Sequence, residues 1–198
     1  VRSSAAQMCI RDSYNRALEI DPHHEYSLAN KSAVLFNLKR FDEMLDACNE
    51  GLKVYPQQET LLYNKGTALL NLERYDEEIE AFNKVLAIDP EDISALIEKS
   101  AALNKLRRYR EALDTLDKAL IIASNKCRAD QLYALWCNRG VALANIGSHD
   151  DALAAFRQAL VINPHLPNAW ECFVATLHVL YGGPKSQDSF WSKIRQNS

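Results

Sequence analysis

Five cysteines and five histidines are the side chains of this 198-residue chain best suited to nucleophilic, acid–base or metal chemistry. Cys9, Cys48, Cys127, Cys137 and Cys172 are odd in number and no CxxC occurs. That argues against a disulfide framework or a zinc site. Free, mostly buried thiols point to a reducing setting, intracellular and cytoplasmic. His23, His24 and His165 follow prolines on expected turns, while His149 and His178 stand apart from them. None shares a ligand spacing with a cysteine or a carboxylate, so no metal or other cofactor is expected. No phosphate-binding glycine loop, HExxH or GxSxG is present, and the segment reads as non-catalytic.

Charge narrows the partners further. With 23 basic against 26 acidic residues the net charge is −3, which does not suit a nucleic-acid binder held by phosphate contacts. No apolar run of about 18 residues exists, so no membrane span is expected, and no charged-then-apolar leader opens the chain.

The elements that would position any binding residues come from a repeated phrase. "FNKVLAIDP" ends at Pro90, "YNRALEIDP" at Pro22 and "FRQALVINP" at Pro164. Weaker copies, "CNEGLKVYP" and "LDKALIIAS", end at Pro56 and Ser124. The step is 34 residues, stretched by six before the last copy. Before each later phrase stands a second shared pattern, as in "TLLYNKGTALLNLERYDE" from Thr60. Each unit predicts two helices. Leu62, Leu69 and Leu72 mark one face of the first, and Ile79, Phe82 and Leu86 one face of the second. A small residue interrupts the first helix (Ser32, Gly66, Ser100, Gly140) and requires a close neighbour, expected to be another backbone. The second helix keeps Gly51, Ala119 and Ala159 at a matching place, with Val85 the exception. Phe41, Tyr75 and Tyr109 open second helices, and the acidic residues that follow suit the helix dipole. The closing prolines end them.

Gly66, Tyr75, Ala81, Phe82, Asp89 and Pro90, with Trp136 and Gly140 in the last unit, resemble the tetratricopeptide repeat. The resemblance covers about residues 14–181. It implies an all-α, right-handed superhelical solenoid of antiparallel helix pairs. Its parts are a partial unit 14–24, repeats 25–58, 59–92, 93–126 and 133–166, and a terminal helix 167–181. Residues 1–13 fall out of register and are expected to be a non-native or disordered leader. Residues 182–198 are expected to form a polar tail, and the chain reads as a fragment of a longer product. Ser124 replaces a proline, so a longer helix pair is expected there, with the next helix starting near Ala129 and a local change in superhelix pitch.

The resemblance also implies a non-catalytic scaffold for protein–protein interaction, holding an extended peptide or partner helix on a concave face lined by first helices. The other reading is the recognition arm of a larger enzyme, such as a glycosyltransferase with a tetratricopeptide superhelix. Two residues before each small residue stand Asn30, Asn64, Glu98 and Asn138, resembling the asparagine ladder of O-linked N-acetylglucosamine transferase. Asparagine offers both a donor and an acceptor to a peptide backbone. The same residues could instead bond to neighbouring helices or keep an exposed face wet. Glu98 would favour a basic or amide-bearing partner residue. Tyr26, Tyr63 and Thr67 share the expected inner face. Lys31, Lys65, Lys99 and Arg139 form a basic column that either rims the groove or lays its stems on apolar surface. A carboxylate clamp of the co-chaperone type lacks its basic residues here. Trp170, Phe173 and Leu177 form an apolar stripe that either the tail or a second copy would cover.

Overall fold

A computed structural model describes residues 4–20, 24–123, 128–165 and 167–181. Among these residues there are ten helices and no strand: α1 (Ser4–Ile20), α2 (Glu25–Asn37), α3 (Phe41–Val54), α4 (Glu59–Asn71), α5 (Tyr75–Ile88), α6 (Ile93–Lys105), α7 (Tyr109–Ala123), α8 (Ala129–Asn145), α9 (His149–Ile162) and α10 (Pro167–Tyr181). The fold is all-α, built of helix pairs at the 34-residue period. It divides into two compact units, Val1–Arg107 and Arg108–Ser198. Within the first, each helix from α1 to α6 packs on the next, and α2 also meets α4; within the second, α7 to α10 do the same, and α8 also meets α10.

The helix boundaries follow local chemistry. Phe41, Tyr75 and Tyr109 are the first residues of α3, α5 and α7. Pro56, Pro90 and Pro164 stand two residues beyond the last residues of α3, α5 and α9, as the backbone restriction before proline requires. First helices start under side-chain caps. His24 Nδ1 accepts from Ser27 N at 3.2 Å, Gln58 caps α4, and Asp92 Oδ1 accepts from Ser94 N and Ala95 N at 2.9 and 3.1 Å. His24 is therefore a capping residue, not merely a turn histidine. At the other end α2, α4 and α8 close with a Schellman motif, in α2 Arg40 N to Leu35 O and Lys39 N to Phe36 O and in α4 Arg74 to Leu69 and Glu73 to Leu70, and α6 shares its inner bond, Arg107 N to Asn104 O. Its left-handed residue is Lys39, Glu73 or Arg107 at φ near 57–59°, and Gly147 at 89°. In second helices the carboxylates expected to answer the dipole also pair with the arginine just before the helix, as in Arg74–Glu77 and Arg108–Glu111.

At the ends of elements one sequence expectation is corrected and another agrees with the structure. The separate leader over 1–13 does not hold as disordered chain, because α1 runs from Ser4. Its composition contains no helix breaker before Pro22, and Ser13 Oγ donates to Cys9 O at 3.0 Å within the helix. The stretched spacing appears as helix: α8 begins at Ala129 and has 17 residues, against 13 in α2, α4 and α6.

The core explains the small residues, and the neighbour is a side chain rather than a backbone. A Cβ on Gly66 would stand 2.7 Å from Phe82 Cζ, and one on Gly140 would press on the Phe156 ring. Where the small residue is Ser32, the matching second-helix residue shrinks to Cys48, which hydrogen-bonds to it. A second seam joins consecutive units. A Cβ on Gly51 would lie 2.6 Å from Leu61 Cδ1. One unit on, Val85 fills the place of Gly51 and Ala95 that of Leu61, in one buried cluster. The exception at Val85 is thus a size exchange across the seam.

Gly66→Ala should destabilise the chain by about 1–3 kcal/mol through overpacking, despite a helix-propensity gain of about 1 kcal/mol; adding Phe82→Leu should recover part of the loss in urea unfolding. Glu73→Gly should stabilise by about 1 kcal/mol by relieving the left-handed backbone, and Gly147→Ala should cost a similar amount. Equal midpoints for both, relative to wild type, would contradict the cap geometry.

Candidate functional site

In the first unit the ladder positions differ from one another. Asn30 on α2 is exposed and makes no hydrogen bond among the described residues. Tyr26, one turn earlier, is 74% exposed. Asn64 on α4 is half-buried, and its Nδ2 donates to Ser32 Oγ at 2.7 Å and toward Ala29 O at 3.5 Å, both on α2. It therefore ties successive first helices together and keeps Oδ1 for a further donor. Tyr63 donates its hydroxyl toward Asp92 Oδ1 at 3.4 Å and stands edge-on to Phe82, with ring centroids 5.3 Å apart. Burial, then the charge of Asp92, holds this phenol well above its ordinary pKa. Thr67 turns its hydroxyl back to Tyr63 O at 3.0 Å. Glu98 on α6 is half-buried, and burial raises its carboxyl above the usual range. In the second unit Asn138 is half-buried on α8.

The basic column is placed against protein surface. Lys31, Lys65, Lys99 and Arg139 are all half-buried. Lys65 lies within electrostatic reach of Cys48 on α3, whose thiol burial pushes up to about 12, out of the reactive range. Arg139 reaches Asp117 on α7 at 3.3 Å and lies 6.0 Å from the Trp136 ring centroid. These positions match stems laid on neighbouring helices. Beside Arg139 a cleft of about 360 Å³ opens between α8 and α9, floored by Trp136, Leu143 and Ala155. Trp170, Phe173 and Leu177 are half-buried. Trp170 Nε1 donates to Pro164 O at 2.9 Å, and Phe173 packs against the cluster around Leu143 and Phe156. The exposed large apolar residues of α10 are Val179 and Tyr181. The described residues contain no group of three or more His, Cys, Asp or Glu that could hold a metal ion. No helix among them is long and apolar enough to cross a membrane.

Comparison with known proteins agrees with this geometry. The tetratricopeptide-repeat family model matches residues 59–92 and 133–166, which are the second and fourth full units. The chain is a tetratricopeptide-repeat protein. A tetratricopeptide protein of Parabacteroides merdae superposes with a TM-score of 0.75 at 17% identity, over 86% of this chain and 65% of that one. This chain thus spans just under two thirds of that protein's length. MamA of Desulfovibrio magneticus gives 0.71 at 23% identity, over 87% and 93%. YrrB, described as a tetratricopeptide protein with an unusual peptide-binding site, gives 0.66 at 21%, over 90% and 89%. At these identities the likeness concerns the fold. No curated protein matches the sequence.

The tetratricopeptide register exposes two features that the sequence reading passed over. Asn37, Asn71 and Asn145 stand seven residues, two helical turns, beyond Asn30, Asn64 and Asn138. Each is exposed and donates Nδ2 to the carbonyl four residues back, at 2.8–3.0 Å. The third unit replaces this second asparagine with Lys105, as it replaces the first with Glu98. Aligning the units seven residues further along reveals this column.

The other feature is Glu78. It occupies the register of Met44, Ala112 and Ala152, all buried and apolar, and is itself 0% exposed. Neither carboxylate oxygen has a hydrogen-bond partner. Burial, then the charge of Glu98, raises its pKa from 4.5 to about 8. The folded chain holds this proton while the unfolded chain releases it near pH 4.5, so the group's contribution to stability falls as pH rises from about 4.5 to about 8. Glu78→Met, copying Met44, should therefore be more stable than wild type. The gap should widen by on the order of 2 kcal/mol between pH 5 and pH 8 in urea unfolding. A gap independent of pH would show that Glu78 does not titrate in this range.

Proposed function

We propose that this tetratricopeptide array is a non-catalytic scaffold whose first-helix face binds an extended peptide segment of a partner protein. The observation that carries the reading is the surface of α2 and α4: Tyr26 and Asn30 exposed, with Tyr63, the free Oδ1 of Asn64 and Thr67 following on. Such a surface offers amide donors and acceptors to a peptide backbone regardless of its side chains, flanked by aromatic area. The description of YrrB as peptide-binding supports a like use of the fold here. In this reading Asn30 is a contact residue. Asn64 combines contact with a structural bond, and Asn138 serves the second unit.

Because Tyr26 and Asn30 make no bond that holds the array together, the double change Tyr26→Ala/Asn30→Ala should leave the circular dichroism spectrum and melting unchanged. It should weaken capture of peptides from a random dodecapeptide pool by about tenfold or more, the value of one or two lost hydrogen bonds and an aromatic contact. Unchanged capture would place binding elsewhere on the chain.

A further inference from the structure

Two acidic substitutions meet where the second repeat joins the third. Where the other repeats have asparagine the third has Glu98, and the preceding second helix has Glu78 where its counterparts are Met44, Ala112 and Ala152. The two carboxyls lie on α5 and α6, which pack together in the first unit, and Glu78 feels the charge of Glu98. Glu78 is wholly buried with both oxygens unpartnered, and Glu98 makes no hydrogen bond or ion pair among the described residues. Asn64 finds a hydroxyl at Ser32, but the residue in the register of Ser32 one unit on is Gly66, which offers none. Asp92 adds a third carboxylate beside Tyr63, which also feels Glu98.

Buried carboxyls without donors are costly, and apolar residues at the same register show that packing does not require them. A cation brought by a ligand would supply what both lack. We propose that Glu98, backed by Glu78, is a recognition point for a lysine or arginine side chain of the bound peptide. The inference rests on the groove reading above and names the partner's chemistry: an extended segment with a basic residue opposite α6. The ammonium or guanidinium pairs with Glu98 at the half-buried rim. Its charge allows Glu78 behind to ionise as well, so the neutral amide positions set no side-chain preference and this unit does.

The test uses a random dodecapeptide pool with the full chain, Glu98→Asn and Glu78→Met. Glu98→Asn copies Asn64 and Glu78→Met copies Met44, so both variants keep residues this fold already accommodates. The wild type should enrich one basic position. Replacing that residue by norleucine or citrulline in a resynthesised peptide should weaken binding about ten- to hundredfold, the range for a charge-assisted pair. Glu98→Asn should lose the enrichment, Glu78→Met should reduce it, and both should bind the neutral peptide as the wild type does. Capture without basic preference, or a preference retained in Glu98→Asn or undiminished in Glu78→Met, overturns the acidic recognition point and leaves the groove standing. No capture by any of the three proteins overturns the groove reading and this inference together.

Discussion

Size matching between a small residue on one helix and a large one on its neighbour is the constraint on which this structure depends. Gly66 under Phe82 and Gly140 under Phe156 bring the two helices of a unit close enough to bury their apolar stripes. The match is steric, so it shifts in pairs: Ser32 with Cys48, and Val85 with Ala95 in place of Gly51 with Leu61. Interiors are close-packed, and one methyl group out of place is felt. Each unit therefore solves the same volume problem with different residues. A strict consensus would conceal that freedom.

Once the apolar seams set the helix spacing, the polar chemistry of the first helices follows. Asn64 reaches Ser32 because α2 and α4 are held in contact. Lys65 and Arg139 fall against neighbouring second helices for the same reason, so their charges serve the array's own surface. Glu78 is the place where the seam admits an ionisable group. There the desolvation cost and the like charge of Glu98 act together, and the protonated form wins near neutrality.

The residues of the candidate face differ in how far the sequence revealed them. The register of Asn30, Asn64, Glu98 and Asn138 follows from repeat alignment. That Asn30 is unengaged while Asn64 bonds to α2 does not, since periodicity names a face but not the polar atom opposite it. Glu78 stood in plain view beside Met44, Ala112 and Ala152. Its position in the first turn of α5, next to Asp76 and Glu77, suggested one more solvated dipole partner, and only burial distinguishes it.

By itself the sequence determined the 34-residue unit, the helix starts at Phe41, Tyr75 and Tyr109, the stops before Pro56, Pro90 and Pro164, and the longer α8. These depend on local backbone chemistry: fixed proline φ, capping side chains and the apolar period. The tertiary structure decided what fills the space above each small residue, which asparagine remains exposed, and which carboxylate loses its water. Those outcomes depend on contacts 16 to 35 residues apart in sequence, such as Gly66–Phe82 and Asn64–Ala29, whose geometry exists only once neighbouring helices have packed.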